Sequence, residues 1–377
     1  PLTLTLTLTL CKEVEWQKML KGSRAHTDRS GLRFNTMPKA KLSPDAMERK
    51  MVLQLSEKYT EEDRYLHCLK LEHFCEWVKW DGVMAQDRNW NELIQREGDD
   101  ELFRFSLAAT EDVLPTPSVL KCWRVPGMVG GKVKCHLCKA KQGSLSHILA
   151  GCNNGSGSAL QQGRYTWRHD SILLALYKQI RSMRNEGKAG LKLGRCRKSS
   201  QPIKFKSGSE AAFAAPSICQ EVVPLFEESD DWVLQFDLNF DGQTKNKPFP
   251  AHIAASGRRP DGLIFSDKLK KVVWIELTSP WEENLTKSYT CTKVKYNKLE
   301  EKLVKASGWT VVPLYVEVGS RGIINDTWGR MCKALCMKKV QNKTLRQHCS
   351  RIALRCSYFI YLSRKQKEWV AHNLVED

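Results

Sequence analysis

The chain has 377 residues, 41% of them hydrophobic, so it can build real cores and is not a disordered tail. Its 60 Lys and Arg against 42 Asp and Glu leave a formal charge of +18, which points to a polyanionic partner, DNA or RNA, because such side chains release counterions from phosphates. Fourteen cysteines scattered through helical patterns, with no signal peptide, argue against a secreted disulfide scaffold; no apolar run approaches a membrane span, and the expected setting is nuclear or intracellular.

The opening PLTLTLTLTL is a strict Leu-Thr repeat of the kind a telomere-like DNA repeat encodes, and we expect a repeat-derived or fragmentary end without function. Together with the polar, basic residues behind it, it makes a low-complexity, flexible N-terminal arm over 1–42. Apolar and aromatic residues then recur at helical spacing, as in YLHCLKLEHFCEWVKW, and predict a helical connector over 43–134. Near its end the two prolines of LPTPSVLKCW, Leu114–Trp123, break the helix.

Residues 135–152 read CHLCKAKQGSLSHILAGC and place Cys135, Cys138, His147 and Cys152 at C-x2-C-x8-H-x4-C. Four soft ligands at this spacing wrap tetrahedrally around one zinc, which supplies folding energy that so short a segment lacks; with every position filled by protein, the zinc is structural. His136 inside the first turn is a competing ligand. Cys332, Cys336, His348, Cys349 and Cys356 also tempt one to draw a metal site, but their spacing fits buried helix faces and the cysteines are expected in a core.

The next element is a helix over RYTWRHDSILLALYKQIRSMR, with Ile172, Leu173, Leu176 and Ile180 on one face. A Gly-, Lys- and Ser-rich stretch at about 185–220 reads as a flexible insertion. Three short β-branched runs follow at 231–240, 260–266 and 271–279, then a helix to Ser307 and a fourth run at 309–318. This α-β-β-β-α-β order over 164–318 predicts an α/β sandwich, and basic helices complete the chain over 319–377.

Within the sandwich, Asp261 begins one strand and Glu276 lies near the end of the next. If the Asp267–Lys270 turn makes these strands a hairpin, the two carboxylates meet at one end of the sheet. There, with the Leu277 carbonyl, they could hold Mg²⁺ against a scissile phosphate. Pro-Asp also starts ordinary turns, but a glutamate inside VVWIELT is expensive to bury without a cation. Asp237 carries the same burden and is a further candidate acid.

In order, these motifs resemble the carboxy-terminal part of the polyproteins of site-specific non-LTR retrotransposons of the R-two and NeSL type. The resemblance spans about residues 60 to 365: LPTP-x-x-L at Leu114–Leu120, the CCHC zinc knuckle, RYTWRH at Arg164–His169, then Arg259-Pro260-Asp261 with Glu276. It implies a restriction-like PD-(D/E)xK endonuclease that cleaves target DNA with Mg²⁺ bound by Asp261 and Glu276. Thr278, two residues after Glu276, is usual in that family, whose lysine comes from the following helix in a K-x-x-K-Y pattern. Here Lys295 and Tyr296 match its end, while Thr292 stands at the first lysine. Lys293 is one position out of register, about 100° around a helix, and Lys287 is an independent candidate. The resemblance further implies nucleic-acid contacts from Arg164, Arg168, His169 and Arg259; the plainer reading of the first three is a solvated basic helix face. No Tyr/Phe-x-Asp-Asp motif occurs, so no reverse transcription is expected. The reading from a different class is a catalytically inactive, zinc-containing nucleic-acid-binding remnant.

Overall fold

The computed structural model describes residues 100–126, 133–139, 142–152, 159–188, 224–306 and 308–371, four short strands outside these ranges and isolated positions between 60 and 70. The chain divides into two compact units, Pro1–Lys79 and Trp80–Asp377. In the first, β1 (Ala25–Asp28) pairs antiparallel with β2 (Gly31–Phe34). This hairpin stands where the sequence suggests a flexible arm, and the reason is local: only Arg29 and Ser30 separate the strands, the commonest hairpin link length. The Leu-Thr repeat and most of the helical connector lie outside the described residues.

The second unit begins its described part with α1 (Asp100–Thr110), whose Asp100 and Glu101 sit at the positive end of the helix dipole while Leu102, Phe105 and Ala109 turn inward. The LPTP segment falls in the non-helical break after α1, and its second proline starts the next helix. Pro117 is the first residue of α2 (Pro117–Cys122), where its missing N–H is harmless, and Thr116 Oγ1 caps it by accepting the Val119 N–H at 3.3 Å. The long α3 (Ala159–Lys188) follows. Within the insertion, β3 (Cys196–Arg197) and β4 (Glu221–Val222) form a two-residue antiparallel ladder.

The sheet is built from β5 (Val233–Phe236), β6 (Gly262–Ser266), β7 (Lys271–Thr278) and β8 (Thr310–Glu317), hydrogen-bonded in that order. The first three run antiparallel, with Gly262 opposite Ile275 on β6 and β7; β8 lies parallel to β7, Glu276 beside Tyr315. A parallel pair needs a long crossover, and α4 (Leu285–Ala306) supplies it. Two helices, α5 (Thr327–Ala334) and α6 (Lys339–Leu362), end the fold.

β6 and β7 are buried along almost their whole length, as their unbroken apolar runs require once helices cover both faces. On one face Ile172, Leu173, Leu176 and Ile180 of α3 pack with Ile264, Val273, Ile275, Leu277 and Val316, joined by Trp328, Cys332, Leu345 and Cys349 from α5 and α6. On the other, Tyr296, Leu299 and Leu303 of α4 pack on Leu263, Phe265, Trp274 and Tyr315. Each such fully buried side chain is worth about 1.5–3 kcal/mol. Cys332, Cys336, Cys349 and Cys356 are all buried, as expected of core cysteines. A third cluster joins α1, the Cys/His segment and the end of α6 through Phe105, Leu145, Leu149, Ile360 and Tyr361. Among the described residues no helix is long and apolar enough to cross a membrane.

Candidate functional site

Alternation along β7 puts Val272, Trp274 and Glu276 on the α4 face and Val273, Ile275 and Leu277 on the α3 face. Asp261 and Glu276 each lie one residue past the Gly262–Ile275 pair, so both carboxylates reach the same end of the sheet. Gly262 follows Asp261 for a steric reason: a Cβ there would sit 2.6 Å from the Phe236 ring.

The two acids have different partners. Asp261 Oδ2 accepts the Leu277 backbone N–H at 2.7 Å and lies 3.3 Å from His169 Nε2. Among the described residues nothing donates to Asp261 Oδ1, and 17% of its side chain is exposed. Glu276 is deeper, its side chain 8% exposed. Lys295 Nζ lies 2.6 Å from its Oε1, and the Tyr296 hydroxyl donates to its Oε2 at 2.7 Å. Burial and then the charge of Asp261 push the Glu276 carboxyl up, while Lys295 and Tyr296 pull it back.

The helical phase of α4 explains that pairing. Thr292, Tyr296 and Leu299 point inward, whereas Lys287, Lys293 and Lys295 are exposed. Lys295 nonetheless reaches Glu276, its Nζ also lying over the Tyr296 ring, 4.8 Å from the centroid. Lys287, by contrast, makes no ion pair with either carboxylate among the described residues. Two residues past Glu276, Thr278 Oγ1 accepts the Ser288 hydroxyl at 2.9 Å. Asp237 is tied to a loop, its Oδ1 accepting the Asn246 N–H at 2.6 Å, and joins neither carboxylate.

His169 belongs to this site although it comes from α3, on the far face of the sheet. Its Nε2 is 3.1 Å from the Leu277 carbonyl oxygen and its Nδ1 is 3.1 Å from Asp170 Oδ1. Asp170 is held in turn by Lys245. Burial lowers the imidazole pKa, but Asp261 and Asp170 outweigh it and raise it to about 10. His169 therefore stands as an imidazolium against the two oxygens, Asp261 Oδ2 and Leu277 O, that the sequence suggests as cation ligands.

The other two residues of that motif are not surface contacts. Arg164 and Arg168 are each 1% exposed. Arg164 Nη2 donates to the Gln366 carbonyl at 2.8 Å; Arg168 donates to the Leu149 carbonyl and the Ser357 hydroxyl, both at 2.9 Å, and to the Ser279 carbonyl at 3.0 Å. Both guanidiniums are buried, out of reach of a phosphate at the surface, and their hydrogen bonds join segments of this fold rather than facing solvent as a basic helix face would. Arg259 stays on the surface, donating to Asn246 Oδ1 at 2.7 Å, and its carbonyl oxygen lies 3.1 Å from the Tyr296 hydroxyl.

The second cluster is the Cys/His segment. Lys134 bridges Gln142 to close the hairpin that presents Cys135 and Cys138, and a π turn over His147–Gly151 carries His147 and leads into Cys152. The ligand atoms of Cys135, Cys138, His147 and Cys152 all lie within 4.8 Å of one another, all four residues are buried, and the group could hold a metal such as zinc. Among the described residues it is the one such grouping of three or more Cys, His, Asp or Glu. Cys135 Sγ is 3.6 Å from Cys152 Sγ, and Cys138 Sγ is 3.4 Å from His147 Nε2. Through the first contact the Cys135 thiol is held well below its usual value while that of Cys152 is raised. His136 stands apart from the group, half-buried and lowered by burial and then by Lys365.

No protein-family model matches the chain, and no characterised protein matches it significantly.

Proposed function

We propose that the protein is a retroelement-derived DNA endonuclease with a PD-(D/E)xK-type core and a structural zinc in its Cys3His group. The observation that carries this reading is the Asp261/Glu276 pair at one sheet end, with Glu276 7% exposed and met by an amine and a phenol from the next helix. Two adjacent carboxylates, one of them buried, are unfavourable without a cation, and such pairs concentrate where they serve chemistry.

Magnesium fits the donor set: hard oxygens from two carboxylates and the Leu277 carbonyl, with the unbonded, solvent-facing Oδ1 of Asp261 open to it. Bound there, it would polarise the phosphate and acidify an attacking water. The protein's own groups supply the rest. Lys295 offsets negative charge developing on the phosphate, Tyr296 fixes the Glu276 carboxylate, and Arg258 and Arg259, exposed beside Asp261, contact the DNA backbone.

The donor set of the Cys3His group suits zinc, and two of its contacts can be compared with a tetrahedral site. Bonds of about 2.3 Å to sulfur and about 2.0 Å to nitrogen in a tetrahedron place two sulfurs about 3.8 Å apart and a sulfur and nitrogen about 3.5 Å apart. The distances of 3.6 and 3.4 Å agree within 0.2 Å.

One observation favours the second reading, an inactive zinc-containing nucleic-acid binder: His169 and Lys295 already neutralise the carboxylates from within the protein. Calorimetric titration of zinc-loaded protein with Mn²⁺, in parallel with a DNA-binding assay, separates the two. The nuclease reading predicts a divalent site that disappears in Asp261→Ala/Glu276→Ala while DNA binding persists. DNA binding without any such site in the native protein would favour the inactive binder.

A further inference from the structure

One stretch of α3, Arg164 to His169, spans the distance between the Cys3His group and the carboxylates. Tyr165 donates its hydroxyl to the Ile148 carbonyl at 2.8 Å and accepts the Cys152 N–H at 3.1 Å. Arg164 is within electrostatic reach of Cys152 and Cys135, and its Nε and Nη1 are buried without a hydrogen-bond partner. A zinc ion bound by three thiolates and a neutral imidazole keeps one net negative charge, and this guanidinium is the buried cation placed to offset it.

Arg168 links the two sites directly. A single planar guanidinium donates through Nη1 to the Leu149 carbonyl in the π turn and through Nη2 to the Ser279 carbonyl just past β7. The adjacent His169 holds the Leu277 carbonyl and Asp261. Two metal-group ligands, His147 and Cys152, stand at the start of the π turn and directly after it, so metal binding fixes where the Leu149 carbonyl lies. If that carbonyl moves, a buried cation loses an acceptor, and its remaining bonds to Ser279 and Ser357 must adjust.

We propose that Arg168 is a positioning residue that ties metal occupancy of the Cys3His group to the end of β7, so that the Asp261/Glu276 site keeps its shape only while that metal is bound. The proposal rests on the zinc reading of the Cys3His group and holds whether or not Asp261 and Glu276 cut DNA.

The test is hydrogen exchange by mass spectrometry on the full chain, with zinc content measured alongside. In zinc-loaded Arg168→Met, residues 275–281 are expected to exchange on the order of tenfold faster, the loss of one charge-assisted hydrogen bond, while 297–306 in the second half of α4 keep native rates. Stripping zinc from the native protein should give the same rise at 275–281. Should Arg168→Met not fold, Tyr165→Phe trims one oxygen and tests the same link from the metal side: faster zinc release, with exchange at 275–281 rising in step as zinc leaves. Native rates at 275–281 in zinc-loaded Arg168→Met, or a zinc-stripped protein whose changes stop within 133–152, would overturn the proposal. Native protein that binds no zinc would overturn the zinc reading and this proposal together.

Discussion

Replacing Lys295 with Met separates cation binding from catalysis at the carboxylate site. Lys295 Nζ lies 2.6 Å from Glu276 Oε1, but 42% of the lysine side chain is exposed, so solvent screens the pair. An ion pair of that kind is worth about 0.2–1 kcal/mol. The lysine and a divalent cation compete for the same carboxylate charge, so its removal should tighten Mn²⁺ or Mg²⁺ binding by about 1.4- to 5-fold. Nicking of supercoiled DNA should move the other way, by on the order of a hundredfold, because a preformed positive group is lost where charge develops on the phosphate. Calorimetric titration with the metal and a plasmid-nicking time course, on one zinc-loaded preparation, read the two effects. Weaker metal binding in Lys295→Met would refute the reasoning, since the lysine would then be supporting the cation rather than competing with it.

Other substitutions follow from the same contacts. Glu317 is 1% exposed, its Oε2 accepting from Thr327 at 2.5 Å while Oε1 has no partner. Burial raises its carboxyl, so its contribution to stability is fully present below the unfolded carboxylate value and is lost as pH rises through the folded one. Glu317→Gln should therefore melt like the native protein near pH 4 and above it near pH 8, each kcal/mol reading as about 2 °C; an equal shift at both pH values would contradict this. Cys135→Ser should lose zinc by metal analysis and lower the melting temperature, because a metal held by all four side chains would contribute folding energy; full zinc content would count against the proposed ligands. Lys287→Ala, exposed and away from both acids, should leave nicking within about twofold of native, as surface changes usually do. A tenfold loss would return Lys287 to the site.

Much of the sheet was legible because buried strands write themselves as continuous apolar runs: VVWIELT and WTVVPLYVEV end within a residue or two of β7 and β8. The Cys/His spacing was equally direct, since its geometry is set within 18 residues. Arg164 and Arg168 could not be read this way. Charge on a helix ordinarily faces water, and what buries these two are the carbonyls of Gln366, Leu149 and Ser279, partners supplied by tertiary packing alone. His169 was singled out, but its alliance with Asp261 crosses the sheet from the opposite helix, and no local pattern records that. Lys295 entered through the family resemblance; that it meets Glu276 with its Nζ beside the Tyr296 ring, while Lys287 pairs with neither acid among the described residues, depends on tertiary packing.

The central claim is that Asp261 and Glu276 together hold a divalent cation that cuts DNA. The most direct measurement is conversion of supercoiled to nicked plasmid in Mg²⁺ by the native chain and by Asp261→Asn/Glu276→Gln, at matched zinc content. Nicking by the native protein and none above background by the variant is the predicted result. Equal nicking by both, or none by a zinc-loaded native protein that binds the DNA, would contradict it.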